Sequence, residues 1–390
     1  MKTVYVDNNA TTRVAPEVLE AMLPYLTERY GNPSSMHSFG GTVGFDIREA
    51  RARVAALIGA SPEEIVFTSC GTESDSAAIW AALNSYPGKK HIVTTRVEHP
   101  AVKSLCESLT KKGYRVTFVP VDDRGNLDTE HLYRHLSDDT AIVSVMWANN
   151  ETGVIFPISE IAEQVKARGI VFHSDAVQAA GKIPLNMATD SVDMLSISGH
   201  KIHAAKGVGV LYVRKGTKFS PFLIGGHQEH GRRGGTENAA SIIGLGKACE
   251  LAKKSFHKDM QRVKKLRDKL ESDILERVPN AFVNGDRDHR LPNTTSIAFE
   301  YVEGESILLM MNELGICASS GSACTSGSLE PSHVLRAMGV PFTAAHGSIR
   351  FSLSTYSTDE EIDYIIEKLP PIIERLRSMS PYWKQAVGAT

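Results

Sequence analysis

Lys201 is the residue of this sequence whose neighbours best suit covalent chemistry. It lies between His200 and His203 and directly follows an apolar run at 194–198. A lysine amine attacks a carbonyl group only when it is partly neutral, and burial beside other cationic groups favours the neutral form. The alternative is a lysine at a strand end on the surface, which is the commoner environment for lysine.

Asp175 ends a second, mostly apolar run at 170–174, and Gln178 follows it by one helical turn. A carboxylate buried at this position needs a cationic partner. The protonated ring nitrogen of pyridoxal phosphate (PLP) is such a partner, and an aspartate in that role is a recurrent feature of PLP sites. Asp175 could also cap the helix that residues 176–179 predict, and the two roles are compatible.

Further polar residues suit a phosphorylated cofactor. Gly71 and Thr72 lie between a predicted strand and a predicted helix, where backbone N–H groups and a hydroxyl can bind a phosphate. Ser198 and His200 would add donors to the same group. His99 could stack on a pyridine ring and carry protons near neutral pH. Helix capping by Thr72 and a simple turn at His99 are the structural alternatives.

Cys324 and Arg350 are the residues best suited to act on a substrate. Cys324 lies in a segment of small polar residues, 318–327, where a thiol is accessible to reactants. Arg350 lies in mid-strand between apolar residues. Its planar guanidinium suits a carboxylate, either that of a substrate or that of an acidic side chain of the protein.

Short β-branched runs alternate with helix-like segments between residues 50 and 215. The predicted strands are 65–68, 91–95, 115–119, 141–146, 170–173, 193–198 and 209–213, and the predicted helices are 73–83, 101–112, 129–136 and 159–168. This alternation predicts an α/β fold with a mostly parallel sheet between helices. Gly71-Thr72, His99, Asn150, Asp175 and Lys201 each follow the C-terminal end of a strand, at the edge where open α/β sheets bind ligands.

The pattern changes after about residue 253. A charged helix at 254–277, a strand at 295–299 and an apolar helix at 305–314 predict a smaller α+β region, and its last helix begins with Thr358 and Glu361 at capping-box spacing. We therefore predict a large domain at 13–255, and a small domain formed by 1–12 together with 256–390, which carries the Cys324 loop.

Composition argues against several classes of protein. The 390 residues are 42% hydrophobic and 23% charged, which is typical of a soluble globular protein. The net charge of -2 gives no reason to expect nucleic acid as a partner. No run approaches the roughly 18 apolar residues of a membrane span, and no signal peptide is expected. Five scattered cysteines favour a reducing cytoplasm. No metal is expected, because the pairs His200/His203 and His227/His230 lack accompanying ligands.

Taken together, these motifs resemble the class I cysteine desulfurases, which belong to the fold-type I PLP enzymes, and the resemblance extends from one end of the chain to the other. The motifs are Asp7-Asn8-Asn9-Ala10-Thr11-Thr12, Gly31-Asn32-Pro33-Ser34-Ser35, Gly71-Thr72-Glu73-Ser74, Glu98-His99, Asn149-Asn150-Glu151-Thr152-Gly153, Asp175-Ala176-Val177-Gln178, Ser198-Gly199-His200-Lys201 and Ser319-Ser320-Gly321-Ser322-Ala323-Cys324. Within the family, Trp147-Ala148-Asn149-Asn150 and Ser380-Pro381-Tyr382-Trp383 are most similar to the nitrogen-fixation type.

The resemblance implies the fold-type I PLP-dependent transferase fold, a homodimer, and sulfur supply from L-cysteine to an iron–sulfur scaffold protein, including clusters of nitrogenase. It also implies a role for each site residue. Lys201 would carry PLP as a Schiff base, and three residues would contact the ring: Asp175 at its nitrogen, Gln178 at its hydroxyl and His99 by stacking. The phosphate would be held by Thr72, Ser198, His200 and the partner's Thr236. Arg350 and Asn150 would bind the substrate carboxylate, and Cys324 would take the sulfur.

One departure from the family pattern concerns the loop after Lys201. Ala204-Ala205 precede Lys206, where the family usually has a proline before the second lysine, and the loop is less stiff without it. Lys206 could compete as the anchor, but the residues before Lys201 favour Lys201. An aminotransferase, a selenocysteine lyase and a non-enzymatic thiol or metal carrier are the alternative functions. Cys324 argues against plain transamination, and a carrier would bind no PLP.

Overall fold

The computed structural model describes residues 3–320, 331–381 and 383. Within these residues the strands are β1 (Val4–Tyr5), β2 (Ile65–Thr68), β3 (His91–Thr95), β4 (Arg115–Val119), β5 (Thr140–Ser144), β6 (Val171–Asp175), β7 (Met194–Ser198), β8 (Gly209–Val213), β9 (Ala281–Val283), β10 (Thr294–Phe299), β11 (Ile316–Cys317) and β12 (Ser348–Ser352). The helices are α1 (Pro16–Met22), α2 (Pro24–Thr27), α3 (Ser38–Ile58), α4 (Gly71–Ser85), α5 (Pro100–Thr110), α6 (Thr129–His135), α7 (Ile158–Lys166), α8 (Ala239–Arg277), α9 (Gly304–Glu313), α10 (His333–Ala337), α11 (Phe342–Ala345) and α12 (Asp359–Met379).

Seven strands form the central sheet, in the order β2-β8-β7-β6-β5-β3-β4. β8 is antiparallel to both of its neighbours, and the other pairings are parallel. β5, β6, β7 and β8 are buried along their whole length, as expected for strands of a sheet covered by helices on both faces. The predicted α/β fold with a mostly parallel sheet is confirmed.

Helices cover both faces of this sheet. Successive side chains of a strand point to opposite faces, and in β5 Ile142 and Val143 accordingly belong to two different hydrophobic clusters. One cluster contains residues of α4 and α5, and the other contains residues of α3, α7 and α8. The buried residues of α7 follow the spacing of one helical face: they are Ile158, Ile161, Ala162 and Val165.

A third hydrophobic cluster combines residues in and next to β1 with residues that follow position 256. Here β12, β10 and β9 form an antiparallel sheet, and β1 pairs in parallel with β11. Val4 of β1 and Phe351 of β12 belong to this cluster together with Leu266 of α8. The N-terminus thus packs with the C-terminal part of the chain. None of the described helices has both the length and the apolarity that crossing a bilayer requires.

α8 is longer than the sequence predicted. It is a single helix of 39 residues, whereas only its second half was predicted, because glycines such as Gly246 weaken helix propensity. Gly246 lies against α3, where a Cβ would come within 2.7 Å of the Ala50 Cα, so close helix packing favours glycine there. The predicted boundary between residues 255 and 256 falls inside α8, and the division into two domains stays a prediction.

Candidate active site

The N-terminus of α4 and the end of β7 meet at the edge of the central sheet. Gly71 is the first residue of α4, and Cys70 before it makes no side-chain capping bond, so the first N–H groups of the helix are available to a ligand. A Cβ on Gly71 would lie 2.9 Å from Val177 Cγ2 and 3.4 Å from Ser198 Cβ. The missing side chain of Gly71 therefore brings the first turn of α4, which includes Thr72, next to Ser198.

Lys201 faces the N-terminal segment of the chain. It ends the short 3-10 turn Gly199–Lys201 that follows β7. Its Nζ donates hydrogen bonds to the carbonyl oxygens of Asn9 (2.6 Å) and Ala10 (2.8 Å). Lys206, by contrast, is exposed. Of the two lysines, Lys201 is the one that points to the sheet edge.

Asp175 is the last residue of β6 and is buried. Its Oδ1 accepts a hydrogen bond from the N–H of Val177 at 2.9 Å, but residues 176–179 form turns and not the helix that the sequence predicted, so the predicted helix-capping role of Asp175 is wrong. Burial raises the pKa of Asp175 to about 6, although this hydrogen bond and the charge of Lys201 act to lower it. A buried carboxyl group with a raised pKa is a good partner for a cation, because the cation stabilises its charged form.

His99 caps the N-terminus of α5. Its Nδ1 accepts a hydrogen bond from the N–H of Ala101 at 3.1 Å. Burial lowers the pKa of His99 to about 4, and the charges of Lys201 and His333 lower it further. The ring is therefore neutral at neutral pH, and its proton is on Nε2 because Nδ1 acts as an acceptor.

Asn9 connects several of the predicted site residues, and sequence reasoning gave it no role. Its carbonyl oxygen accepts hydrogen bonds from Lys201 and from Gln178 Nε2, the latter at 3.0 Å. Its Nδ2 donates to the carbonyl oxygen of Asn150 at 3.2 Å and to Thr294 Oγ1 at 2.9 Å. The one signal in the sequence was its place in the N-terminal family motif, since all of its partners are distant along the chain.

His200 and His203 also contact the N-terminal segment. His200 Nδ1 lies 3.1 Å from Thr11 Oγ1, and His203 Nδ1 lies 3.0 Å from the carbonyl oxygen of Arg13. Burial and the charge of Lys201 lower the pKa of His200 to about 4. Within the described part of the chain, no three His, Cys, Asp or Glu side chains are grouped as a metal ion would need.

Arg350 makes the internal ion pair that the sequence left open as an alternative to substrate binding. One terminal nitrogen donates to Asp7 Oδ1 at 2.6 Å, and the other donates to the carbonyl oxygen of Asn150 at 3.0 Å. The side chain is 3% exposed, and its buried Nε has no hydrogen-bond partner among the described residues. Arg350 and Asn150 are therefore adjacent.

Two buried acids near Asp175 were missed from the sequence. Burial raises the pKa of Glu98 to about 8, and the charge of Asp175 raises it further. Its Oε1 accepts hydrogen bonds from Thr95 Oγ1 and from the N–H of Met146, both at 2.9 Å. Burial and the charge of Asp175 also raise the pKa of Asp75 well above its usual range. Glu98 was visible as a neighbour of His99, but Asp75 has no signal in its helix.

Thr236 and Cys324 complete the predicted set. Thr236 is exposed and lines a cavity of about 160 Å³ beside Ser69. Its segment is tied to α4, because Arg233 donates to both carboxylate oxygens of Glu73, at 2.8 and 3.1 Å. Cys324 lies outside the described residues.

Comparison with known proteins defines the class to which this chain belongs. The model of the family named aminotransferase class-V matches residues 4–365. The chain belongs to the class-V aminotransferase family.

Its relatives within that family are more specific. The chain is 62% identical over 384 residues to cysteine desulfurase NifS of Azotobacter vinelandii, covering 98% of this chain and 96% of that protein. It is 60% identical over 388 residues to a cysteine desulfurase of Trichormus azollae, covering 100% and 97% of the two chains. A solved NifS-like protein matches with a TM-score of 0.91 at 40% identity, over 96% of this chain and 100% of the other. The predicted kinship with the cysteine desulfurases, and with it the enzyme class, is confirmed.

Proposed function

We propose that this cysteine desulfurase converts L-cysteine into L-alanine with PLP as its cofactor, and that the thiol of Cys324 receives the sulfur. The observation that carries the proposal is the meeting of Lys201, Asp175 and His99 at one sheet edge, where the charge of Lys201 influences the pKa of each of the other two. The amine and the carboxylate are the groups that bind PLP as a Schiff base and pair with its ring nitrogen, and the neutral imidazole is suited to stack on the ring.

The residues present fit PLP at both ends of the cofactor. The uncapped N-terminal turn of α4 next to Ser198 offers donors for a phosphate. At the other end, Asp175 is a buried carboxylate suited to a ring cation. Gly71, Thr72, Ser198 and His200 would hold the phosphate, with Thr236 of the partner subunit. When bound, PLP withdraws electrons from the substrate and so makes its Cα proton acidic.

Lys201 and His99 would do the proton chemistry. Lys201 would hold the cofactor covalently in the resting enzyme, and its Nζ would take the proton from the substrate Cα once cysteine has displaced it. The exposure of Lys206 supports Lys201 as the anchor. His99, neutral with its proton on Nε2, would stack on the ring and exchange protons with the reacting atoms.

Arg350 would bind the substrate carboxylate together with Asn150. The Arg350 guanidinium would donate to it, while Asp7 and the carbonyl oxygen of Asn150 fix the orientation of the guanidinium. A guanidinium held in place in this way selects substrates whose carboxylate lies at one fixed distance from the reacting carbon.

Cys324 would carry out the sulfur transfer. Its thiolate attacks the substrate sulfur, an S–S bond forms, the substrate C–S bond breaks, and the electrons left on Cβ are protonated to give alanine. Ser319 pairs with Arg350 through two backbone hydrogen bonds. The last described residues before Cys324 in the sequence therefore lie beside Arg350.

The proposal also covers the partners of this protein and its location in the cell. Exposed apolar residues at Met36, Phe39, Phe45, Leu223 and Ile224 support the predicted homodimer, because such residues mark interaction surfaces. An iron–sulfur scaffold protein, in nitrogenase maturation, is the proposed sulfur acceptor. The free thiols of Cys70, Cys106, Cys249 and Cys317 are compatible with a reducing cytoplasm.

Two measurements test the function. The purified protein should absorb as a PLP enzyme, and borohydride should fix the cofactor to Lys201; a protein without a cofactor band refutes the proposal and favours a thiol carrier. Cys324→Ala should keep the cofactor band and lose persulfide formation from L-cysteine, with Cys317→Ala as the matched control. Sulfur release at the full rate in Cys324→Ala would refute the role of Cys324, and activity on L-selenocysteine alone would favour a lyase.

A further inference from the structure

Lys182 is a buried lysine for which the proposed reaction has no use. It follows β6 by seven residues, and its side chain is 7% exposed. Burying an ammonium group is unfavourable unless hydrogen-bond partners compensate for lost water. Burial lowers the pKa of Lys182 to about 7, and the charges of Lys201 and Arg350 lower it further. A lysine in this environment needs a structural or functional reason.

The contacts of Lys182 are directed at Gln178. Its Nζ donates to Gln178 Oε1 at 2.7 Å and lies 3.4 Å from Asn9 Oδ1. The opposite end of the same amide, Nε2, donates to the carbonyl oxygen of Asn9, which is also the acceptor of the Lys201 amine. Gln178 is thus held from both ends, by a donor at its oxygen and by an acceptor at its nitrogen.

This arrangement gives the Gln178 amide one orientation. Rotation by 180° would set its NH₂ group against the donor Lys182 and its oxygen against the carbonyl oxygen of Asn9. Both contacts would be repulsive in a buried site, where an unpaired polar group is costly. The amide N–H groups therefore face the side on which Lys201 lies.

We propose that Lys182 is a positioning residue: it holds Gln178 in the orientation that presents an N–H donor to the ring oxygen of PLP. The inference rests on the proposed binding of PLP at Lys201. The ring oxygen beside the bound lysine is an acceptor, so it needs a donor, and the oxygen of an inverted amide would repel it. Lys182 makes no contact with the cofactor in this role and acts through Gln178.

The test is a double-mutant cycle on the dissociation constant of PLP, measured from the absorbance of the bound cofactor in the holoenzyme at graded free PLP. Lys182→Met should weaken PLP binding about tenfold in the wild-type background, and less than about twofold in the Gln178→Ala background, because the coupled pair has already been removed. It should also shift the absorption band of the bound cofactor. Lys182→Arg, which keeps a donor, should restore most of the affinity.

Controls separate this role from others. Lys254→Met removes a lysine of α8 that lines a cavity of about 680 Å³ together with Lys182 and Lys201, and it should leave PLP binding unchanged. A Lys182→Met protein that binds PLP as the wild type does, or that loses the same factor in both backgrounds, overturns the inference. If Lys182→Met does not fold, Gln178→Glu tests the same point, because a carboxylate has no N–H to present: wild-type affinity in that variant also overturns the inference. A wild-type chain without PLP would instead refute the proposed function.

Discussion

Glu98 provides a direct test of the buried electrostatics around Asp175. Glutamine at this position keeps the size of the side chain and an oxygen for Thr95 and the N–H of Met146, but it does not titrate. Because burial raises the pKa of Glu98 to about 8, the folded chain keeps a proton there up to that pH, whereas the unfolded chain releases it near 4.5. The stability that Glu98 contributes is therefore complete below pH 4.5 and is lost as the pH rises toward 8.

The magnitude follows from proton linkage. Between the two pKa values the wild type should lose about 1.4 kcal/mol of stability per pH unit relative to Glu98→Gln. From pH 5 to pH 7 this amounts to about 3 kcal/mol, which for a chain of 390 residues corresponds to roughly 4 °C in Tm. Oε2 of Glu98 has no hydrogen-bond partner among the described residues. Any free-energy cost of placing the NH₂ group of glutamine there is independent of pH and does not alter the slope.

The assay is thermal unfolding of PLP-free wild type and Glu98→Gln at pH 5, 6, 7 and 8. The Tm of Glu98→Gln should rise steadily relative to that of the wild type as the pH increases. In addition, the infrared carbonyl band of a protonated carboxylic acid should be weaker in the variant than in the wild type at pH 7. Glu107→Gln, at an exposed glutamate of α5 that pairs with Lys103, should give a difference that is flat over this range. Parallel Tm curves for wild type and Glu98→Gln would refute the reasoning.

Three further predictions concern the site and its supports. Gly71→Ala places a Cβ 2.9 Å from Val177 and should weaken PLP binding about tenfold or more with a normal circular dichroism spectrum; unchanged affinity by equilibrium dialysis would contradict the close approach. Arg350→Lys should raise the KM for L-cysteine about tenfold with a smaller effect on kcat, because lysine lacks the fork; an unchanged KM would exclude carboxylate binding by Arg350. Glu229→Gln leaves the Arg51 guanidinium, 11% exposed, beside a neutral partner and should cost about 3 kcal/mol in unfolding, whereas adding Arg51→Met should recover part of it; strictly additive losses would argue against a coupled pair.

Much of the fold was predictable because it depends on local patterns. β2, β3, β4 and β8 lie where the sequence predicted them, since short runs rich in β-branched and aromatic residues between polar turns favour strands. The capping box of α12 was also visible, with Thr358 and Glu361 bonded as expected. The first half of α8 was missed because Gly244 is favoured by packing against α1 and Gly246 by packing against α3, which is a tertiary cause.

The sequence by itself determined that Lys201, Asp175, His99 and the start of α4 would share one edge, because parallel strands in one sheet end together. Only the tertiary structure decided how the groups are held there. The carbonyl oxygen of Asn9 accepts hydrogen bonds from Lys201 and Gln178, each more than 160 residues away in the sequence. Asp7 forms an ion pair with Arg350 at a separation of 343 residues. Hydrogen bonds and ion pairs at such separations leave no periodicity in a sequence, since their partners become neighbours only when the whole chain has folded.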